Sequence, residues 1–207
     1  MLDKKGFDLW ANNYDISVGL SDDDGSYPFA GYKQVLNIIF NYILESSTQT
    51  VLDIGFGTGT LTKKLYDRGY KIYGQDFSDK MLEIAREKMP SGLFYLGDFS
   101  QGLAEELKVR SYDSIVATYS LHHLQDQQKI RFMKELISLL NPGGQLLIGD
   151  VAFLNRQELE RCRIACGEEW DTDEYYFVAD ELMNHFPTLH FEAMSHCAGV
   201  LRILIEE

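Results

Sequence analysis

Cysteine, proline and basic side chains are all scarce in this chain, and each shortage excludes something. Three cysteines, Cys162, Cys166 and Cys197, are too few and odd in number for a disulfide framework, which points to a reducing compartment. Cys162 and Cys166 share one helix face, but no second ligand pair stands at metal spacing, so packing is expected there and no metal. Four prolines are thinly spread, and no linker, repeat or low-complexity tract divides the 207 residues; a chain of this length fills one core. No apolar run reaches the roughly 18 residues of a membrane span. The opening MLDKKGFDLW lacks the apolar centre of a secretory leader, so a cytoplasmic protein without a membrane partner is expected. Lysine and arginine number 19 against 32 acids, for a net charge of −13. A polyanion needs several cationic contacts and no basic cluster offers them, which argues against nucleic acid as a partner.

What the chain does have is VLDIGFGTGT, residues 51–60. The apolar run 51–54 reads as a buried parallel strand, Gly55, Gly57 and Gly59 punctuate the exit, and Leu61, Leu65 and Tyr66 recur at helical spacing. Such a turn lets backbone approach a ligand that a Cβ would hold away, and it aims helix-start N–H groups at the same space. The dinucleotide pattern G-x-G-x-x-G is missed: position six is Thr60, and the third glycine comes one place early. Asp53 puts a carboxylate at the end of the first strand. A second strand ends at Asp76, 17 residues beyond Gly59, where an acid accepts from ribose hydroxyls in doubly wound nucleotide sites. A third strand ends at Asp98.

The rest of the chain keeps this rhythm. A leading segment, 3–30, carries helical hints and the acidic turn Asp22–Asp24, and an amphipathic helix over 32–44 follows. Strands are predicted at 50–54, 71–76, 93–96, 112–118 and 144–150, with helices at 58–67, 79–88, 102–107 and 126–140. Ser78 is placed to cap the second of these helices, and Asn141-Pro142-Gly143-Gly144 to end the last and turn the chain. The alternation gives a parallel sheet with helices on both faces. Residues 155–185 read as two helices around an acidic stretch. Strands 190–195 and 199–205 are joined too tightly for a parallel crossover, so one of them runs antiparallel.

LDIGFGTG (52–59), YGQDFS (73–78), GDFS (97–100), YDSIVATYSLHHL (112–124) and LNPGGQLLI (140–148), with WANNYD (10–15) ahead of them, closely resemble class I S-adenosylmethionine-dependent methyltransferases, over roughly residues 7–150. The resemblance is nearest to small, uncharacterised bacterial members. It implies a Rossmann-like, doubly wound, seven-stranded sheet, mostly parallel with one antiparallel strand in the closing hairpin. One domain is implied, with a helical cap (1–46), a cofactor-binding core (47–150), a substrate-side insert (151–187) and the hairpin (188–207).

For S-adenosyl-L-methionine the resemblance implies residue roles. Gly55 and Gly57 admit the methionine and ribose portions, and Asp53 sits near the amino end through water. Asp76 holds the ribose hydroxyls and Phe77 packs on adenine. Asp98 accepts from the exocyclic amine, and the Phe99 backbone meets a ring nitrogen. Ala117 offers its carbonyl to the ammonium. Tyr14 reaches the carboxylate or covers the methyl group, although it and Trp10 equally suit simple helix packing.

The implied reaction is methyl transfer to an oxygen or nitrogen of a small molecule by a monomer or homodimer. In-line alignment carries most of the catalysis, and a base helps only a protonated acceptor. Tyr119, His122, His123 and Asp150 are the candidates for one, all at the ends of strands four and five. Strand four lacks the Asn/Asp-Pro-Pro-aromatic motif of base amino-methylation and the acid of metal-dependent catechol-type enzymes. No Pro-Cys pair is present for pyrimidine carbon. A nicotinamide oxidoreductase and a non-catalytic cofactor binder remain rivals; Thr60 and the closing hairpin speak against the first.

Overall fold

The computed structural model describes residues 25–206. In chain order they form α1 (Tyr32–Glu45), β1 (Thr50–Ile54), α2 (Thr60–Tyr66), β2 (Lys71–Asp76), α3 (Asp79–Lys88) and β3 (Leu93–Leu96). These are followed by α4 (Glu105–Lys108), β4 (Tyr112–Thr118), α5 (Asp126–Ser138), β5 (Leu140–Phe153) and α6 (Arg156–Cys166). The chain closes with β6 (Phe177–Val178), α7 (Ala179–Met183), β7 (His190–Ala193) and β8 (Ala198–Leu204).

The sheet runs β3-β2-β1-β4-β5-β8-β7, with β6 paired to β5. β8 lies antiparallel to both β5 and β7, and the other pairings are parallel. Reversal of strand order between β1 and β4 opens a crevice at the strands' carboxyl ends, the usual ligand position in such sheets.

The central strands are buried on both faces, and their alternate residues feed two cores. Val51, Val116 and Leu147 face one core, completed by Val35 and Ile39 of α1, Leu65 of α2 and Leu82 of α3. Leu52, Ile115 and Leu146 face the other, completed by Leu107 of α4, Met133 and Leu136 of α5 and Leu182 of α7. Period-two orientation along a strand is what divides them. At Gly149, an added Cβ would stand 2.3 Å from Val35 Cγ1, so α1 presses directly on β5. Ser78 does cap α3, its hydroxyl accepting from Met81 N–H at 3.2 Å.

Three boundaries differ from expectation. The helix expected over 102–107 is a 3₁₀ turn (Phe99–Gln101) and then α4, separated at Gly102, which has φ 102°. β5 already pairs with β4 at Leu140, so Asn141–Gly144 form an irregularity inside the strand rather than a free turn before it. An eighth, two-residue strand joins the expected seven. β4 pairs with β5 only as far as Gly149, so β5 outruns it, and Phe177–Val178 take up the backbone of Ala152–Phe153.

Candidate functional site

The crevice is built first by the exit from β1. Gly55 (φ 67°) and Gly57 (φ 55°) both occupy the left-handed region that L side chains avoid. A Cβ at Gly55 would lie 2.5 Å from Ser120 Cβ, so the exits of β1 and β4 meet at backbone range. The Ser120 hydroxyl fastens them by donating to the Ile54 carbonyl at 2.9 Å. Beside Gly57 nothing lies within 4 Å of where a Cβ would point, which leaves room for a ligand against bare main chain.

Two acids frame that loop. Asp76, at the end of β2, accepts from Gly57 N–H through Oδ2 (2.9 Å) and from Ser78 N–H through Oδ1 (2.9 Å). These two bonds fix the direction of its carboxylate. Asp53 is 1% exposed; Oδ2 accepts from the Thr62 hydroxyl, and Oδ1 has no partner among the described residues. Burial, reinforced by the charge of Asp76 and opposed by Thr62, pushes its pKa up to about 7.

Space along the rim falls into two parts. The outer cavity, about 480 Å³, is lined by Phe77, Asp98, Phe99, His123, Gln128 and Tyr175 among others. The inner one, about 20 Å³, lies against Asp53, Gly55, Gly57, Thr118 and Tyr32. That is room for roughly one water, so a larger group enters only if the aromatic side chains over it move. Tyr32 packs there on Tyr119 (5.1 Å between centroids) and Phe29 (6.0 Å). Tyr119 holds φ 49°, a strained value for a bulky side chain, and strain of this sort gathers at ligand sites.

Phe77, Asp98 and Phe99 thus border the outer cavity, whereas Asp53, Gly55 and Gly57 border the inner one; Asp76 reaches the same loop through Gly57. Ala117 borders neither: its side chain packs in the second core and Thr118 faces the inner cavity. Tyr14 and Trp10 lie outside the described residues, as do Asp22–Asp24. Wide outer space between two phenylalanines, bare backbone and a partnerless buried carboxylate oxygen together suit a nucleoside with a cationic end.

After β4 a 3₁₀ turn (Leu121–His123) swings His122 toward β5, where Nδ1 meets Asp150 Oδ1 at 2.6 Å. Nε2 points away from Asp150 and stands 3.4 Å from Glu174 Oε1. Burial works against a charged His122, but Asp150 and Glu174 outweigh it and raise its pKa above the ordinary histidine value. His123 stacks edge-on at 4.2 Å; burial, then the neighbouring His122, holds it down at about 3. Burial raises Glu174 against the opposing pull of His122 and Tyr176.

Sequence reasoning placed Glu174 in the acidic stretch of the insert over the strand ends, but did not find its contact with His122, nor Tyr176 or Lys129 in this region. Lys129, almost wholly buried, donates to the Tyr175 carbonyl and lies 4.5 Å over the Phe177 ring. Tyr175 N–H in turn donates to the His122 carbonyl at 2.8 Å, so the insert is stitched to the exit of β4. A lysine inside the apolar face of α5 was the available signal, since lysine is rarely buried without a partner.

Comparison with known proteins places this architecture. A family model described as a methyltransferase domain matches residues 51–144. An uncharacterised methyltransferase of Anoxybacillus flavithermus is 35% identical over 192 residues, covering 89% of this chain and 87% of that protein. Magnesium protoporphyrin IX methyltransferase from Synechocystis PCC 6803, solved with S-adenosylhomocysteine, superposes with a TM-score of 0.67 at 18% identity, over 99% of this chain and 100% of that one. N-methyltransferase NodS from Bradyrhizobium japonicum, also solved with S-adenosylhomocysteine, gives 0.62 at 16% identity over 85% and 87%. With the sheet order, the glycine exit and the paired strand-end acids already in place, the chain belongs to the class I S-adenosylmethionine-dependent methyltransferases.

Proposed function

We propose that this protein transfers a methyl group from S-adenosylmethionine to an oxygen or nitrogen atom of a small molecule, acting in the cytoplasm as one domain, monomeric or homodimeric. The carrying observation is the bond from Gly57 N–H to Asp76 Oδ2, which sets an acid beside open backbone at the exit of β1, where Gly57 borders the inner cavity. Asp76 then accepts from the ribose hydroxyls, Phe77 packs on the adenine, Asp98 accepts from its amine and Phe99 N–H donates to the ring. Gly55 and Gly57 admit the methionine and ribose, while Asp53 and the Ala117 carbonyl face the ammonium. Tyr14 reaches the carboxylate end or covers the methyl group. The bound cofactor supplies an electrophilic methyl on a good leaving group, which leaves alignment as the protein's main contribution.

A small acceptor is favoured by the volume of the outer cavity and by the acids around it. Asp173 lines that cavity, Glu174 stands 3.4 Å from His122 Nε2, and the net charge of −13 disfavours a polyanion. The magnesium protoporphyrin IX enzyme is consistent with a small acceptor and NodS is an N-methyltransferase, but at 18% and 16% identity neither chooses between oxygen and nitrogen here. A screen of hydroxyl- and amine-bearing metabolites for release of S-adenosylhomocysteine tests the proposal. Turnover only with nucleic acid or protein would overturn it.

Asp53 gives this reading a pH signature. In the free protein its carboxyl is protonated below about 7, and a bound ammonium favours the ionised form, lowering the pKa in the complex. Cofactor affinity should therefore rise as pH climbs from 5 toward 7, by up to tenfold per unit, as one proton released on binding requires. Titration calorimetry in buffers of differing ionisation heat would count the proton. The Asp53→Asn variant should bind more weakly at pH 7 and lose the slope; an unchanged slope would remove Asp53 from this role.

A further inference from the structure

We propose that His122, His123 and Glu174 form a binding site for a divalent first-row transition metal cation of the zinc type. One ligand atom from each of the three lies within 4.8 Å of the other two. Two imidazoles and a carboxylate are a donor set that zinc, cobalt and iron accept while keeping a position open. The separation between His122 Nε2 and Glu174 Oε1, 3.4 Å, already matches the edge of a tetrahedron around a cation with bonds of about 2.0–2.1 Å. The His123 nitrogen lies within 4.8 Å of both other donors and draws in when the cation binds.

The outer partners fit the same use. Asp150 Oδ1 takes the Nδ1 side of His122 at 2.6 Å, which fixes the ring and leaves Nε2 as the ligand atom. Tyr176 donates to Glu174 Oε2 at 2.8 Å, holding the second carboxylate oxygen while Oε1 faces the histidines. Both supports are buried, Asp150 on β5 and Tyr176 just before β6, so they brace donors that come from the turn after β4 and from the stretch leading into β6. His123 also lines the outer cavity, so the open coordination position is reached from there. Spacing along the chain hides the site, because the two histidines are adjacent and the carboxylate arrives from the distant insert. If the methyl-transfer reading holds, an acceptor hydroxyl or amine entering the cavity would be the natural fourth ligand. The metal site itself does not depend on that reading.

The test uses the full chain, freed of metal with a chelator and titrated with zinc chloride and, separately, cobalt chloride. One equivalent of Zn²⁺ should bind, with competition between Zn²⁺ and Co²⁺, and Co²⁺ should give visible d–d bands of low-symmetry nitrogen and oxygen ligation. Glu174→Gln and His123→Ala should each weaken Zn²⁺ at least a hundredfold while melting unchanged in the presence of chelator. Asp150→Asn, acting through His122, should weaken it 10- to 100-fold. No saturable binding means that His122 is simply an ion-paired bridge between two carboxylates, and the proposal fails. Binding that survives both Glu174→Gln and His123→Ala, or a thiolate-to-cobalt charge-transfer band from the Cys162–Cys166 pair, overturns it as well.

Discussion

Replacing Gly55 with alanine should lower stability by about 2–4 kcal/mol, from left-handed backbone strain and overpacking together, and should remove measurable cofactor binding. The added methyl carbon would lie 2.5 Å from Ser120 Cβ, closer than carbon atoms can approach, on a backbone with φ 67°. One of the two strand exits must move, and the Ser120–Ile54 hydrogen bond that ties them goes with it. For a chain of this size the loss corresponds to a melting temperature lower by roughly 5–15 °C. Gly57→Ala is the informative contrast. Its methyl meets nothing in the protein within 4 Å, so only the strain of φ 55° remains, worth about 1 kcal/mol. It should stay folded yet bind S-adenosylhomocysteine poorly, because the methyl enters the space assigned to the ligand. Thermal melts and titration calorimetry on the pair separate the effects. Gly55→Ala with wild-type melting and affinity would contradict this account of the loop.

Asp76→Ala should weaken S-adenosylhomocysteine binding 5- to 150-fold, the equivalent of about 1–3 kcal/mol for lost hydrogen bonds to a carboxylate. The substitution acts twice. It deletes the proposed ribose acceptor, and it strips Gly57 N–H and Ser78 N–H of their acceptor, so the loop loses its anchor as well. Asp76→Asn keeps one oxygen and should fall between wild type and Asp76→Ala, whereas wild-type affinity in both variants would remove Asp76 from cofactor binding. An equal loss of affinity for S-adenosylhomocysteine and for its deoxyribose analogue across the variants would also detach Asp76 from the ribose.

Much of this was legible because parallel strands announce themselves as apolar runs ending in polar residues. β2, α3, β3 and β4 have the expected limits, and Asp53, Asp76 and Asp98 mark three strand ends on one edge. Which residue of a strand faces the ligand was not legible. β4 is buried on both faces, so it carries no alternation to show that Thr118 and not Ala117 borders the inner cavity. Nor does any local pattern bring Glu174 to His122; that pairing follows from the way Lys129 and β6 dock the insert on β5. The narrowness of the inner cavity depends likewise on Phe29, Tyr32 and Tyr119, which converge from separate parts of the chain.

The claim beneath all of this is that the rim between β1 and β4 receives an adenosyl group joined to an amino acid. Titration calorimetry of the unaltered protein with S-adenosylhomocysteine, run in parallel with NADH, tests it most directly. The account predicts one saturable equivalent of S-adenosylhomocysteine per chain and no binding heat from NADH. Preference for NADH, or no saturable binding of S-adenosylhomocysteine at all, would contradict it.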